Sequence, residues 1–139
     1  MVIDSTGWEH FERLPHGELY WIAPGVMVAV PDEGVVEVVS LSQAVYDGYT
    51  RAAASVGHPI AVLVYVDRLG DQTPEVRSFW QNVMQPDVVA CVALISSSFF
   101  ARAISSFFIG ISGPKVPTKM LGTEESALLW AEERLAAHQ

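Results

Sequence analysis

The sequence contains little cysteine and few combinations of residues suited to metal binding. Cys91 is the single cysteine among 139 residues, so the chain cannot form an internal disulfide bond. It lies inside the apolar run from Val88 to Ile95, where a thiol packs as a small hydrophobic side chain. The four histidines are scattered along the chain without the short spacing of metal ligands. We therefore predict a core position for Cys91, and we expect neither a metal nor another cofactor.

Basic residues are also scarce. Eight Lys and Arg against sixteen Asp and Glu give a formal net charge of −8, which repels phosphate backbones and anionic membrane surfaces. We therefore expect no nucleic-acid partner. The start of the sequence has neither a basic segment nor an apolar segment of the kind found in secretory signals, so we expect a cytoplasmic location.

Common catalytic and nucleotide-binding motifs are missing from the sequence. It contains no GxGxxG, no GxxxxGKS/T and no GxSxG motif, so no phosphate-binding loop or nucleophile elbow is indicated. His58 precedes a proline in a predicted turn, and Asp67 and Asp71 at a strand end are typical turn residues. We predict no catalytic residue, and an enzyme is the less favoured class of function.

One long apolar stretch runs from Val88 to Ile111 with Arg102 as its only charge, and its length is sufficient to span a bilayer. Three serines from Ser96 to Ser98 interrupt this stretch, and Arg102 lies deep inside it. Its first half is rich in valine, whereas its second half has helical spacing. We therefore predict a buried strand followed by a packed helix, and no membrane span.

The first half of the chain predicts an arm, a hairpin and a helix. Residues 1–16 lack periodicity and are expected to form an irregular N-terminal arm, followed by a single domain over residues 17–139. Pro24-Gly25 is a turn signal between two segments rich in strand-forming residues. Apolar residues at spacings of three and four then mark a helix that ends at Gly57. The predicted elements are strands 18–23 and 26–30, a short strand 35–39, and helix 42–55.

The second half alternates between strands and helices. Residues 60–66 are almost continuously apolar, as in a central parallel strand that is covered on both faces. Thr73 and Pro74 are typical of a helix cap and first helical position. The further predicted elements are a helix that ends before Pro86, strand 88–95, helix 99–108, strand 118–121 and a helix that begins after Thr123. This order predicts an α/β fold, with a mixed sheet of about five strands and alternating helices.

The carboxyl ends of the parallel strands are expected to meet at one edge of the sheet and to form a rim for a small ligand. Serine hydroxyls and backbone N–H groups before the third helix, together with Arg68, are suited to an anion. Helix capping explains part of the same pattern. The candidate rim residues are Asp67, Arg68, Thr73, Ser96, Ser97 and Ser98.

Two segments resemble a known bacterial group. The strand Val62–Asp67 ends in aspartate, and the stretch from Lys119 to Trp130 combines a short strand, Thr-Glu-Glu and an Ala-Leu-Leu-Trp helix. These features resemble SpoIIAA-like or STAS-like domains over roughly residues 17–136. The resemblance implies a STAS-like fold and a non-catalytic regulatory or binding role, since relatives include anti-sigma-factor antagonists and lipid-binding SEC14-type proteins.

The same resemblance draws attention to Thr73. Anti-sigma antagonists carry a phosphorylatable serine at the start of the helix after the aspartate-ended strand, and here Thr73 is the only hydroxyl in place. It is therefore a candidate phosphoswitch, although capping also accounts for it. The alternative functions are a small-ligand or lipid-binding protein, or a small hydrolase that uses the rim.

The predicted third helix has more apolar residues than one core-facing stripe requires. Phe99, Ala103 and Ile109 extend around the helix beyond that stripe, and an outer apolar flank usually marks an interface. We predict that these residues form the interface of a symmetric homodimer, and a different protein partner is a second candidate. The competing interpretation is that the arm, through Trp8 and Phe11, covers the flank.

Overall fold

The computed structural model describes residues 3–68, 73–98 and 116–138. Within these residues the chain forms a six-stranded sheet and three α-helices. The strands are β1 (Glu9–Leu14), β2 (Gly17–Ala23), β3 (Val26–Pro31), β4 (Ile60–Tyr65), β5 (Val89–Ile95) and β6 (Thr118–Leu121). The helices are α1 (Val39–Val56), α2 (Pro74–Val83) and α3 (Glu124–His138), and a 3-10 turn spans Val66–Arg68.

The strands lie in the sheet in their order along the chain, from β1 to β6. The pairs β1–β2 and β2–β3 are antiparallel, whereas β3–β4, β4–β5 and β5–β6 are parallel. A hairpin therefore leads into a parallel half whose strands are joined by crossovers. The predicted α/β class with a mixed sheet is confirmed, and its six strands include one that we did not predict and lack the predicted strand 35–39.

The additional strand is β1, which we had assigned to an irregular arm. That assignment is wrong for residues 9–14, because they pair with β2 in register from Glu9–Trp21 to Leu14–Gly17. The register shifts between His10 and Glu12, so a bulge interrupts the alternation by which strands are recognised in a sequence.

Charged residues that form ion pairs also make β1 difficult to recognise as a strand in the sequence. Glu12 pairs with Arg51 of α1, and Arg13 donates two hydrogen bonds to Asp32, at 2.9 and 2.7 Å. Charged side chains at the edge of a sheet disfavour pairing with another chain. The charged side chains of β1 are thus typical of an edge strand that does not pair with another chain.

The two faces of the sheet bury separate hydrophobic clusters. On one face α1 and α2 pack over Leu19, Met27 and Val62, and on the other α3 packs over Val28 and Leu63. β4 is therefore covered on both faces, as its continuous apolar sequence predicted. Two successive crossovers that place α1 and α2 on the same face are expected from the constant handedness of such connections.

Residues 35–39 do not form the short strand that we predicted. Residues 35–38 are a loop and Val39 begins α1. The physical reason is that β3 already pairs with β2 on one side and β4 on the other, so the sheet offers no free edge there. The loop instead exposes Val36, which is 74% exposed, and Val38.

The long apolar stretch begins as an interior strand of the sheet, because β5 pairs with β4 and β6. Cys91 in this strand is fully buried, as predicted, and burial raises the pKa of its thiol to about 11. In the parts of the chain that the structure describes, no helix is long and apolar enough to cross a membrane. The predicted helix 99–108 and the interface candidates Phe99, Ala103 and Ile109 lie outside the described residues.

Candidate functional site

The C-terminal edge of the parallel strands brings together most of the predicted rim. We use this name for the edge at which β3, β4, β5 and β6 end, at Pro31, Tyr65, Ile95 and Leu121. The loops that leave these strands contain the polar residues singled out from the sequence. Asp71 lies outside the described residues, whereas Asp67, Arg68, Thr73 and Ser96–Ser98 are placed.

Asp67 joins the ends of β4 and β5. Its Oδ1 accepts a hydrogen bond from the Ser96 hydroxyl at 2.7 Å. Its Oδ2 accepts from the Ser97 backbone N–H at 2.9 Å and from the Ser97 hydroxyl at 3.0 Å. We refer to Asp67, Ser96 and Ser97 as the Asp67 clamp.

The clamp favours the ionised carboxylate. The Ser96 hydroxyl makes the largest contribution and lowers the pKa of Asp67 below its ordinary value of 3.8; burial opposes it, and the two donors of Ser97 each lower the pKa by a smaller amount. A carboxylate stabilised in this way is a weak proton acceptor. Ser96 is fully buried, and its hydroxyl oxygen also accepts the Ser98 N–H at 3.2 Å. These contacts are those of a structural link rather than of a nucleophile and its base.

Arg68 links the same 3-10 turn to the neighbouring strand. Its Nε donates to the carbonyl of Pro31 at 3.2 Å, where β3 ends. The pKa of Asp32 is lowered chiefly by Arg13, with smaller contributions from His16 and Arg68, so the Arg68 guanidinium lies near the start of the β3–α1 loop. The turn therefore connects the ends of three strands, through Arg68 on one side and Asp67 on the other.

Thr73 is the N-cap of α2. Its backbone is extended, its side-chain oxygen accepts the Val76 N–H at 3.3 Å, and Pro74 follows at the first helical position. The capping role predicted from the sequence is confirmed. Thr73 is also an exposed residue.

The loop from β3 to α1 presents an apolar surface that sequence reasoning missed. Val36, Val38 and Val39 are 74%, 47% and 41% exposed, and we refer to these three side chains as the valine loop. They are three of the five large apolar residues that stand out as exposed in the described parts of the chain. Because they are concentrated in four consecutive positions, they form one patch rather than scattered exposures.

Glu37 anchors this loop from the inside. Its Oε2 accepts the Ser42 hydroxyl at 2.5 Å and the Trp80 indole N–H at 2.8 Å. Ser42 is almost completely buried in α1, and Trp80 belongs to α2. One inward-facing carboxylate thus fixes the valine loop against both helices on this face of the sheet.

α1 begins without the usual stabilising residues. Val38 occupies its N-cap and provides no side-chain hydrogen bond, and the first turn contains no acidic residue. Valine is among the poorest N-cap residues, and acidic side chains stabilise the first turn of a helix. The start of α1 is therefore weakly stabilised, and it lies at the same place as an exposed apolar patch. Local features that lower stability in this way are expected where a surface serves a function.

A family model matches most of the chain. Residues 20–134 match the family described as Domain of unknown function (DUF7793). The chain belongs to this family. The comparisons with curated proteins and with solved structures each found no match.

The match includes both features of the C-terminal edge. The Asp67 clamp and the valine loop lie within the residues assigned to the DUF7793 domain, whereas β1 precedes them. Over the part of the domain that the structure describes, no group of three His, Cys, Asp or Glu side chains is arranged to hold a metal ion.

Proposed function

We propose that this DUF7793 protein is a non-catalytic regulatory or binding module, related to STAS-like domains, that acts in the cytoplasm and binds a protein partner at its C-terminal edge. The valine loop is the contact surface. The Asp67 clamp and Arg68 hold the adjoining strand ends in place.

The observation that carries this proposal is the exposure of the valine loop. Exposing three apolar side chains to water is unfavourable, and in a folded protein such a patch usually marks an interaction site. The patch is also held in shape, because Glu37 binds Ser42 and Trp80. A pre-organised apolar surface loses less conformational entropy on binding than a flexible one, which favours recognition.

The topology supports the relationship to STAS-like domains. A hairpin runs into parallel strands, two helices cover one face, and a C-terminal helix covers the other. Apart from the additional strand β1 and the absent strand 35–39, the described elements follow the order on which the sequence resemblance rests. The net charge of −8 further favours protein partners over nucleic acids.

A hydrolase that uses the rim is the alternative, and the Ser96–Asp67 hydrogen bond of 2.7 Å is the observation that would favour it. A hydrolase requires an accessible hydroxyl and an effective base. Ser96 is fully buried and the pKa of Asp67 is lowered, so both requirements are poorly met. We therefore favour the binding module.

The proposal is tested by capture with matched variants. Immobilised wild-type protein is compared with a Val36→Asp, Val38→Asp double variant, using lysate of the cells that naturally produce the protein. Leu129→Asp is the control, because Leu129 is 61% exposed on α3, away from the valine loop. A protein retained by wild type and control but not by the double variant is then purified, and its Kd is measured by calorimetry.

We expect the double variant to weaken binding at least about tenfold, since aspartate places charge in an apolar contact. Equal affinity of all three proteins for the purified partner would contradict a role for the valine loop. Turnover of model esters that is abolished by Ser96→Ala would instead support the hydrolase alternative.

A further inference from the structure

A second surface lies at the opposite edge of the sheet, where the parallel strands begin. There the β2–β3 turn, the start of β1 and the ends of α1 and α3 surround an open cleft of about 550 Å³. This volume is within the range of small-molecule sites, roughly 300–1,000 Å³. The residues that determine its chemistry are Glu9, Trp21, Gly25, Val56, His58 and Leu135.

Close packing at Gly25 shapes one wall of the cleft. Gly25 has a φ of +75°, and a Cβ atom added there would lie 2.7 Å from Leu135 Cδ2 and 3.3 Å from His58 Cε1. The side chains of Leu135 and His58 therefore close directly on backbone that only glycine can provide. The register of β2 with β3 also shifts between Trp21 and Ala23, next to this wall. Such irregularities are common beside binding sites.

Two side chains of the cleft, those of Glu9 and His58, offer acceptors, whereas Trp21 contributes an indole N–H donor. In the neutral ring of His58, Nδ1–H donates to the Pro59 carbonyl at 2.8 Å, so Nε2 is an acceptor. Glu9 contributes an exposed carboxylate. A cation or a hydrogen-bond donor is the complementary group on a ligand.

The C-terminal end of α1 also favours a cationic ligand. α1 ends at Val56 beside the cleft, and its last turn contains no basic residue. The C-terminus of a helix carries partial negative charge, which cations stabilise. At the same position Val56 is 39% exposed, so apolar surface adjoins the negative helix end.

From these features we infer that the cleft binds a small organic cation, an amine with an apolar or aromatic body. The ammonium group lies near Glu9 and the end of α1, and the body contacts Val56, Leu135 and Trp21. An indole ring such as that of Trp21 also attracts cations through its face. Binding here is independent of the valine loop, because the two surfaces lie at opposite edges of the sheet.

The inference is tested with three probes of similar shape: 2-phenylethylammonium, 3-phenyl-1-propanol and 3-phenylpropanoate. Binding to the isotope-labelled protein is followed by NMR through the backbone amides of Gly25 and Gly57. We expect the ammonium to bind about tenfold more tightly than the alcohol, through the helix end and Glu9, and the carboxylate not to bind. Equal affinities for ammonium and carboxylate would overturn the inference, as would an absence of saturable shifts with the ammonium.

Two variants test whether Glu9 and the end of α1 determine the preference for a cation. Both positions are exposed, so the substitutions should not disturb the fold. Glu9→Gln should weaken ammonium binding about two- to fivefold, as expected for an exposed ion pair, whereas Glu33→Gln in the distant β3–α1 loop should have no effect. Val56→Lys should abolish binding, because its ammonium occupies the helix end and itself suits that position. Val36→Lys, an exposed valine at the other edge, is the control. Wild-type affinity in Val56→Lys would show that the probe binds elsewhere.

Discussion

Trp80 of α2 donates its indole N–H to Glu37 at 2.8 Å, and this hydrogen bond fixes the loop that exposes the three valines. The ring also packs against three others, with centroid distances of 6.4 Å to Tyr46, 6.3 Å to Tyr49 and 5.3 Å to Phe79. Trp80 therefore has two separable roles. It contributes apolar packing on the α1–α2 face, and it positions the valine loop through Glu37.

Substitution of Trp80 separates these roles. Trp80→Ala removes both the packing and the hydrogen bond and should lower the free energy of unfolding by about 3 kcal/mol, the lower end for large aromatic truncations because Trp80 is only partly buried. Trp80→Phe retains most of the packing and should cost about 1–2 kcal/mol, mainly for the lost hydrogen bond. Both values are measured by urea denaturation.

The second measurement is the affinity of Trp80→Phe for the purified protein partner. Trp80→Phe leaves the valines themselves unchanged, so weaker binding of the purified partner by this variant would show that Glu37 must be held in place. Unaltered stability in Trp80→Ala would contradict the packing role.

The Asp67 clamp predicts a pH-dependent contribution to stability. The pKa of Asp67 is lower in the folded protein than its ordinary value of 3.8, so its contribution is present above that value and is lost as the pH falls through the lower folded pKa. At neutral pH, Asp67→Asn should cost about 1 kcal/mol, a modest value because the carboxylate is largely exposed. Urea denaturation at neutral and acidic pH measures the difference.

Asp87→Asn provides the control for this experiment, since Asp87 is an exposed aspartate at the start of the β5 segment. Its substitution should leave stability unchanged at both pH values. A difference between wild type and Asp67→Asn that persists undiminished down to the lowest pH at which the protein remains folded would refute the assignment to an ionised clamp.

Burial decided which parts of the fold were predictable. β4 and β5 were predicted to within one residue of their observed bounds, because strands in a covered parallel sheet are continuously apolar. β1 was missed because a bulge and its ion pairs removed the alternating pattern. The valine-rich segment 35–39 was mistaken for a strand because its composition favours one, and only the assembled sheet shows that no edge is free to pair with it.

The candidate sites also differ in how far they could be predicted from the sequence. Asp67 and Ser96 were expected at one edge because each follows a predicted parallel strand, and the structure brings them to hydrogen-bond distance. The exposure of the valine loop could not be predicted from the sequence, since an apolar residue in a sequence predicts burial. The cleft around Gly25 is built from segments that are far apart in the chain, and no local pattern joins Glu9, Val56 and Leu135.

Two glycines provide a matched test of the cleft wall. Gly25 and Gly34 have nearly equal φ angles, +75° and +77°, so alanine is similarly strained at both positions. A Cβ at Gly34 meets no atom within 4 Å, whereas at Gly25 it lies 2.7 Å from Leu135 Cδ2. Gly34→Ala should cost about 1 kcal/mol and Gly25→Ala about 1–3 kcal/mol more. Equal losses in thermal or urea denaturation would mean that Leu135 moves aside without cost.

The last prediction is the homodimer, whose predicted interface residues lie outside the described parts of the chain. The competing interpretation requires Trp8 and Phe11 together to cover the flank formed by Phe99, Ala103 and Ile109. In the structure Trp8 packs with Tyr20 on the α3 face of the sheet, whereas Phe11 packs with Trp21 on the α1–α2 face.

Phe11 belongs to β1 rather than to a mobile or irregular arm, and we predict a dimer that forms through the predicted flank. Size-exclusion chromatography with light scattering over a dilution series should give a dimer mass for the wild type. A Phe99→Asp, Ile109→Asp variant should give a monomer mass, since each aspartate would place a charge in the apolar contact. Leu129→Asp, another exposed apolar position, should remain dimeric. A monomer mass for the wild type at every concentration would exclude the dimer.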